Sequence, residues 1–395
     1  MGGRERHRAI RAAALAGSGI LAAGVTAGSS SSAAASELVV KNAKPRGAGS
    51  FRNVLAHASR NHRPDRITFA SRLSGSIEVP GDEITVSGPV RIKARKGDPV
   101  LASEAGATFG FYGERASVDG LHTNGVGIKF RQDGKLKIRD SILAGRRIGV
   151  GVSVSGYNTV SVKRSEISGF GAGVSICCTS AAHIQDSTIS GNTGRGFATT
   201  SYTASKISGS TISGNAGGGL YGGYEASIHV ANSTISGNSA DRPGGAIYAG
   251  EDDVPVTLVH TTVTDNSSVE GAGGISATGT GTDDDDRITL TNSIVAGNHS
   301  GAGEDDCAGR ITSFGGNVLG AVAPCGGLPG DVIAGDPGLG PLADNGGLTF
   351  THLPEPLSPA VDNGIERWRV DQRGYRVGKH ETPDSGSVEL SAKAP

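Results

Sequence analysis

Three acidic residues fall at the same distance from a recurring hydroxyl. Glu225 lies eight residues before Ser233, Asp253 eight before Thr261 and Asp285 eight before Ser293. Glu251, Asp252, Asp283, Asp284 and Asp286 crowd around the last two. Stacked about 5 Å apart, such carboxylates repel one another, which favours a counter-ion. Hard oxygen ligands on flexible loops suit Ca²⁺. The competing reading is a set of solvated loop tips, where acidic runs are common. No base is paired with the acids. Arg287 follows the run and can pair with it, while Arg195 and Arg242 fall eight and nine residues after their hydroxyls, at another turn. Asp252 and Asp284 could serve as the two carboxylates of glycoside hydrolysis, although nothing singles them out. His183, His229, His260 and His299 are read as sharing no register and as structural or solvated.

The hydroxyls belong to a repeat. DSTISGN (186–192), GSTISGN (209–215), NSTISGN (232–238), HTTVTDN (260–266) and NSIVAGN (292–298) are copies of one unit, with weaker copies at 140–146 and 164–170. The anchors Ser141, Ser165, Ser187, Ser210, Ser233, Thr261 and Ser293 are 24, 22, 23, 23, 28 and 32 residues apart. A period that lengthens only by insertion is the mark of a solenoid. Each copy holds three short apolar runs joined by turns, and none holds the 3.6-period pattern of a helix. The expected fold is all-β: a right-handed parallel β-helix, a single-stranded solenoid of about eight coils. Asn192, Asn215, Asn238, Asn266 and Asn298 share one turn position and are read as a structural ladder. The glycine pairs, such as Gly218-Gly219 and Gly244-Gly245, let the backbone turn without a Cβ clash. Asn232-Ser233-Thr234 reads as a glycosylation acceptor, but its first position is Asp186 and Gly209 in earlier copies, so no common role attaches to it.

Composition agrees with tight repeated turns. Glycine makes up 64 of 395 residues, roughly twice the usual share, and aromatics only 4%. Arg4, Arg6, Arg8 and Arg11 precede a small apolar stretch and an Ala/Ser run ending at Ala35, the pattern of a signal peptide over residues 1–35. Without that segment the chain carries 33 basic and 37 acidic residues, so no global basic field points to nucleic acid. No other stretch is long and apolar enough to span a membrane. Cys307 and Cys325 bracket a Gly-rich loop and are expected to form a disulfide. The adjacent Cys177 and Cys178 are expected to be two buried small residues. No cysteine spacing suggests zinc.

The repeat I-S-G-N followed by G-G-A-I resembles that of polymorphic outer membrane proteins, with Ile235 in place of Phe, and more broadly the secreted bacterial β-helix proteins of the pectate-lyase-like superfamily. GSFRNVLAHASRNHRPDRITF (49–69) resembles the N-terminal segment of such proteins. DPGLGPLADNGGLTFTHLPEPLSPAVDNG (336–364) and DQRGYR (371–376) resemble a choice-of-anchor Q module, and the loop 306–325 with its bracketing cysteines fits the same family. Asp344, His352, Asp362, Asp371 and Arg373 match motif positions there, with Asp371 and Arg373 read as an internal charge-assisted pair. The resemblance implies the fold and a secreted or cell-surface location in a bacterium, but no single activity. Lyases of this fold use stacked carboxylates to hold Ca²⁺ and an Arg or Lys to remove a uronate proton. The sequence ends at Pro395 without a sortase-type tail, so free secretion or non-covalent surface association is expected.

The expected organisation is a signal peptide (1–35), an N-terminal cap with first coils (36–116), the β-helix repeats (117–300) and a C-terminal capping module (301–395). Ser50 suits the N-cap of a short amphipathic helix whose Phe51, Val54, Leu55 and Ala58 would cover the first coil. Two functions follow. One is a non-catalytic, monomeric adhesion-type scaffold that binds glycans or a cell-surface component. The other is a polysaccharide lyase or glycosidase acting on acidic polysaccharide, with Ca²⁺ at the Glu225–Asp253–Asp285 stripe.

Overall fold

A computed structural model describes residues 36–61, 64–81, 83–178, 181–250, 254–277, 288–320, 329–365, 368–378, 382–392 and 394. The chain winds as a parallel β-helix with three long sheets. Sheet A runs from Ser36–Val40 to Ile311–Ser313, sheet B from Ser76–Glu78 to Val332–Ile333, and sheet C from Glu83–Val86 to Cys307–Gly309. Each coil contributes one strand to A, then B, then C. There are about ten turns rather than eight. The additional turns lie upstream of residue 117 and past residue 301, where the strands pair without repeating the I-S-G-N spelling.

Strand alternation sends every second side chain inward, and the registers stack like on like. Ile138, Val162, Ile184, Ile207, Val230, Leu258 and Leu290 form one buried column of sheet A. Ile189, Ile212, Ile235, Val263 and Val295 form another in sheet B. Each such side chain contributes about 1.5–3 kcal/mol through burial.

Two polar columns run inside the turns. The amide N–H of each anchor hydroxyl residue donates to the hydroxyl of the next coil: Ser141 to Ser165, Ser165 to Ser187, Ser187 to Ser210 and Ser210 to Ser233, all at 3.2 Å. Each of these serine hydroxyls donates in turn to the carbonyl two residues back. The five asparagines form the second column. Asn192 Nδ2 donates to Asn215 Oδ1 at 2.8 Å, Asn215 to Asn238 at 2.8 Å, Asn238 to Asn266 at 2.9 Å and Asn266 to Asn298 at 2.8 Å. Asn298 ends the ladder on Asp306 Oδ1 at 2.7 Å. The ladder explains one glycine per coil. A Cβ on Gly196 would stand 2.6 Å from Asn215 Nδ2, and one on Gly219 3.1 Å from Asn238 Nδ2.

The residue before each anchor is left-handed: Asp140, Arg164, Asp186, Gly209, Asn232, His260 and Asn292 have φ between 46° and 58°. What these unlike side chains share is a backbone conformation, so the slot does have a common role, contrary to the sequence reading. It is the corner between sheets A and B.

Helix α1, Phe51–Asn61, begins at Ser50, whose Oγ accepts from the Asn53 amide at 3.3 Å. Phe51, Val54, Leu55 and Ala58 are buried, and Phe51 packs on Phe69 and Phe109 at centroid distances of 5.9 and 5.2 Å. Amphipathic packing of this kind holds a short helix that would not persist alone.

At the other end the coils continue past residue 301, through Cys307–Gly309, Ile311–Ser313 and Val318–Leu319. The remaining segment returns along the outside of sheet B. Gln372 Nε2 donates to Thr211 Oγ1 at 3.0 Å and to Thr349 Oγ1 at 2.9 Å, and Gln372 Oε1 accepts from Thr234 Oγ1 at 2.7 Å. Ser387 meets Thr234 and Thr262, and the Ile365 amide donates to Asn292 Oδ1 at 2.8 Å. Thr211, Thr234 and Thr262, outward on their strands, are thereby buried. Asp371 and Arg373 form a close pair, Arg373 Nε to Asp371 Oδ2 at 2.8 Å, and two backbone amides also donate to Asp371 Oδ1.

Candidate functional site: the outer face of sheet A

The outer face of sheet A is strongly basic. Successive rungs align Arg66, Arg91, Ser117, Lys137, Ser161, His183, Lys206 and His229 in one column. Beside it stand Arg115 and Lys135 on one side and Lys93, Arg139 and Lys163 on the other. Rungs repeat about every 4.8 Å, so the charges form a regular row. Arg91 pairs with Asp119 at 2.6 Å and Lys163 lies 3.8 Å from Asp186. Among the described residues, Lys135, Lys137, Arg139 and Lys206 have no carboxylate partner.

His183 and His229 thus share a register, contrary to the sequence reading, with Lys206 on the rung between them. The signal was present: His183, Lys206 and His229 each stand four residues before an anchor serine, as do Ser161 and Lys137. Partial burial, then the Lys206 charge, push the His229 imidazole below its ordinary value. It is therefore a neutral base at pH 7. His260 and His299 do not join them. His260 is buried in the corner slot, packed against Trp368 and bonded to Asn292, and His299 sits on a short strand of the turn between sheets B and C.

The turns from sheet C to sheet A form one edge of this face. They carry Tyr157, Tyr202 and Tyr224, exposed by 71%, 45% and 44%. Tyr202 and Tyr224 meet edge to face at 5.7 Å, and the Tyr202 hydroxyl donates to Glu225 Oε1 at 3.2 Å. Contact with the Tyr224 hydroxyl, then desolvation and contact with the Glu225 carboxylate, hold the Tyr202 phenol above its ordinary value. Ser201, Tyr202 and Glu225 are all left-handed, with φ of 55°, 63° and 51°. Three non-glycine residues in this region within two successive turns cost about 1 kcal/mol each, and strain of this kind gathers at functional sites.

Glu225 is the one member of the proposed acidic stripe among the described residues. Asp252, Asp253, Asp284 and Asp285, with Arg287, lie outside them. Within the described residues no group of three His, Cys, Asp or Glu side chains is placed to hold a metal ion. Cys307 is disulfide-bonded, while its expected partner Cys325 lies outside the described residues. Cys177 and Cys178 are not buried small residues. They form a disulfide with each other at the end of a sheet C strand, with Cys178 exposed and left-handed at φ 75°.

Residues 126–317 match the family model described as right-handed β-helix region. Among solved structures the chain is similar to pectate lyase Pel9A, at 15% identity and a TM-score of 0.52, covering 90% of this chain and 97% of that one. It is also similar to an arginine-to-alanine mutant of the PL6 family alginate lyase AlyGC, at 15% identity and a TM-score of 0.34, covering 91% of this chain and 59% of that one. No curated protein matches the sequence. The fold is a right-handed parallel β-helix.

Proposed function

We propose that this protein binds an acidic polysaccharide laid along the outer face of sheet A, outside the cell or at its surface. The observation that carries the reading is the column Lys137, Ser161, His183, Lys206 and His229 beside an edge of exposed tyrosines. A linear polymer with one carboxylate per sugar has charges at a spacing comparable with the rungs. Tyrosine rings offer flat apolar faces for sugar rings at low entropic cost. Calorimetric titration with polygalacturonate and with a neutral glucan tests this. The acidic polymer binds, and binding weakens as salt rises. Equal binding of the neutral glucan, or none of either, overturns it.

A lyase reading is favoured by one feature, the neutral His229 beside Lys206. In β-elimination a base takes the C5 proton of a uronate, the C4–O bond breaks, a C4=C5 double bond forms and the leaving oxygen gains a proton. Lys206, on the rung next to His229, would offset charge on the carboxylate during that step. Ultraviolet absorbance of unsaturated ends after incubation with uronate polymers and Ca²⁺ is the readout, and its absence on all of them removes the lyase reading. The Ca²⁺ proposal rests on Glu225 with Asp253 and Asp285. It requires that Ca²⁺ raise the melting temperature and that Asp253→Asn with Asp285→Asn abolish the rise.

A further inference from the structure

The turn between sheets B and C changes length abruptly. Asn192 to Phe197 and Asn215 to Leu220 span five residues, but Asn238 to Ile247, Asn266 to Ile275 and Asn298 to Cys307 span nine. The longer turns project and pair with one another through Ser239–Ala240, Ser267–Ser268 and His299–Ser300. Where the short turn of one coil meets the long turn of the next, a ledge remains, and a cleft of about 190 Å³ opens on it. Its floor is Ala216 to Gly218, and one wall is the turn Ala240 to Gly244.

The opposite wall is chemical. Tyr221 and Tyr248 stand on adjacent rungs of sheet C, their rings 6.0 Å apart. The Arg195 guanidinium lies 3.6 Å from the centre of the Tyr221 ring, and Arg242 reaches the cleft from the long turn. Among the described residues neither arginine is paired with a carboxylate, although Asp241 also lines the cleft. Two guanidiniums without a carboxylate partner call for an anion, and the tilted tyrosine pair offers aromatic surface to a sugar ring.

We infer that this cleft is a second binding site, for a single anionic sugar residue such as a uronate. The carboxylate is held by Arg242 and Arg195, and the ring lies on Tyr248. The site is on a different face from sheet A and does not depend on the polymer reading. The small volume restricts it to one residue or a chain end, whereas sheet A presents an open row.

The test is calorimetric or saturation-transfer titration of the protein without residues 1–35 with methyl glucuronide, methyl glucoside and inorganic phosphate. Methyl glucuronide binds, the neutral glucoside binds about tenfold more weakly or not at all, and phosphate does not compete for the ring contacts with Tyr248. Arg242→Ala weakens binding about tenfold. Ala216→Trp, at an exposed floor position, fills the cleft and abolishes binding at an unchanged melting temperature. Lys206→Ala leaves methyl glucuronide binding unchanged while weakening binding of the polymer, which separates the two sites. Equal binding of glucoside, unchanged binding by Arg242→Ala, or no binding of methyl glucuronide overturns the inference.

Discussion

Ser236 Oγ and His352 Nε2 lie 2.7 Å apart across 116 residues of sequence, and join a coil of the solenoid to the segment that returns along it. His352 Nδ1 is 2.7 Å from the Gly340 carbonyl, which can only accept, so the proton of the neutral ring sits on Nδ1. Nε2 then accepts from the Ser236 hydroxyl. Protonation would turn that acceptor into a donor inside a buried contact. Burial pushes the His352 imidazole below its ordinary value, against the opposing pull of the Gly340 carbonyl and the Asp265 carboxylate, 3.8 Å away.

Stability should therefore depend on pH in one direction. A histidine whose folded pKa is depressed contributes fully above its unfolded value of about 6.5, and the contribution is lost as pH falls through the folded value. The melting temperature is expected to hold from pH 8 to 7 and to fall below about 6.5. His352→Gln should flatten that decline relative to wild type, at some cost in stability at pH 7. Thermal melts of both proteins between pH 5 and 8 provide the check, and parallel curves would remove His352 as the cause.

The asparagine ladder makes a second prediction. Asn238 is fully buried, accepts from Asn215 and donates to Asn266 and to the Ile212 carbonyl. Asn238→Ala strands polar groups on both neighbouring coils, each costing about 1–3 kcal/mol. A loss of about 3 kcal/mol in denaturant unfolding is expected. Asn298→Ala should cost at least as much, because it takes a donor from the buried Asp306 carboxylate.

The repeat was legible because the serines, asparagines and inward Ile and Val recur as the same residues at the same spacing. What was hidden is of three kinds. The basic column of sheet A was readable by position but not by residue type, because Ser161, His183 and Lys206 look unrelated until each is counted back from its anchor. The corner slot was hidden because Asp186, Gly209 and Asn232 share a conformation, not a chemistry. The returning segment was hidden because Gln372 and Thr211 are 161 residues apart, and an outward threonine on a strand reads as solvent-facing. The vicinal pair Cys177–Cys178 reads as two small core residues until the positive φ of Cys178 is known.

Polymer binding should respond to the column in a graded way. Lys206 and Lys137 are exposed, so each ion pair with a uronate is worth at most about 1 kcal/mol. Lys206→Ala is expected to weaken polygalacturonate binding about threefold, and the double variant with Lys137→Ala about tenfold. His229 adds a positive charge only below pH 6.5, because its pKa is depressed. Binding should thus tighten between pH 7 and 5, whereas a lyase that needs the neutral imidazole should slow over the same interval. Calorimetry and product absorbance, run across that range, distinguish the two behaviours.

The corner slot permits the last prediction. Gly209 has φ 58°, a conformation that Asn232 and Asp186 adopt at the equivalent positions of the neighbouring coils. Asparagine tolerates it because its short polar side chain bonds locally, whereas a β-branched residue meets its own carbonyl. Gly209→Asn is expected to change stability by no more than about 0.5 kcal/mol, since the unfolded chain also loses freedom. Gly209→Val should cost about 2 kcal/mol or more through its strained backbone, since the Cβ contact with Asp186 Oδ1 at 2.6 Å is common to both variants and a shift of the aspartate side chain relieves it. Urea unfolding of the two variants decides it, because equal losses would mean that space beside Asp186, rather than the left-handed backbone, governs the slot.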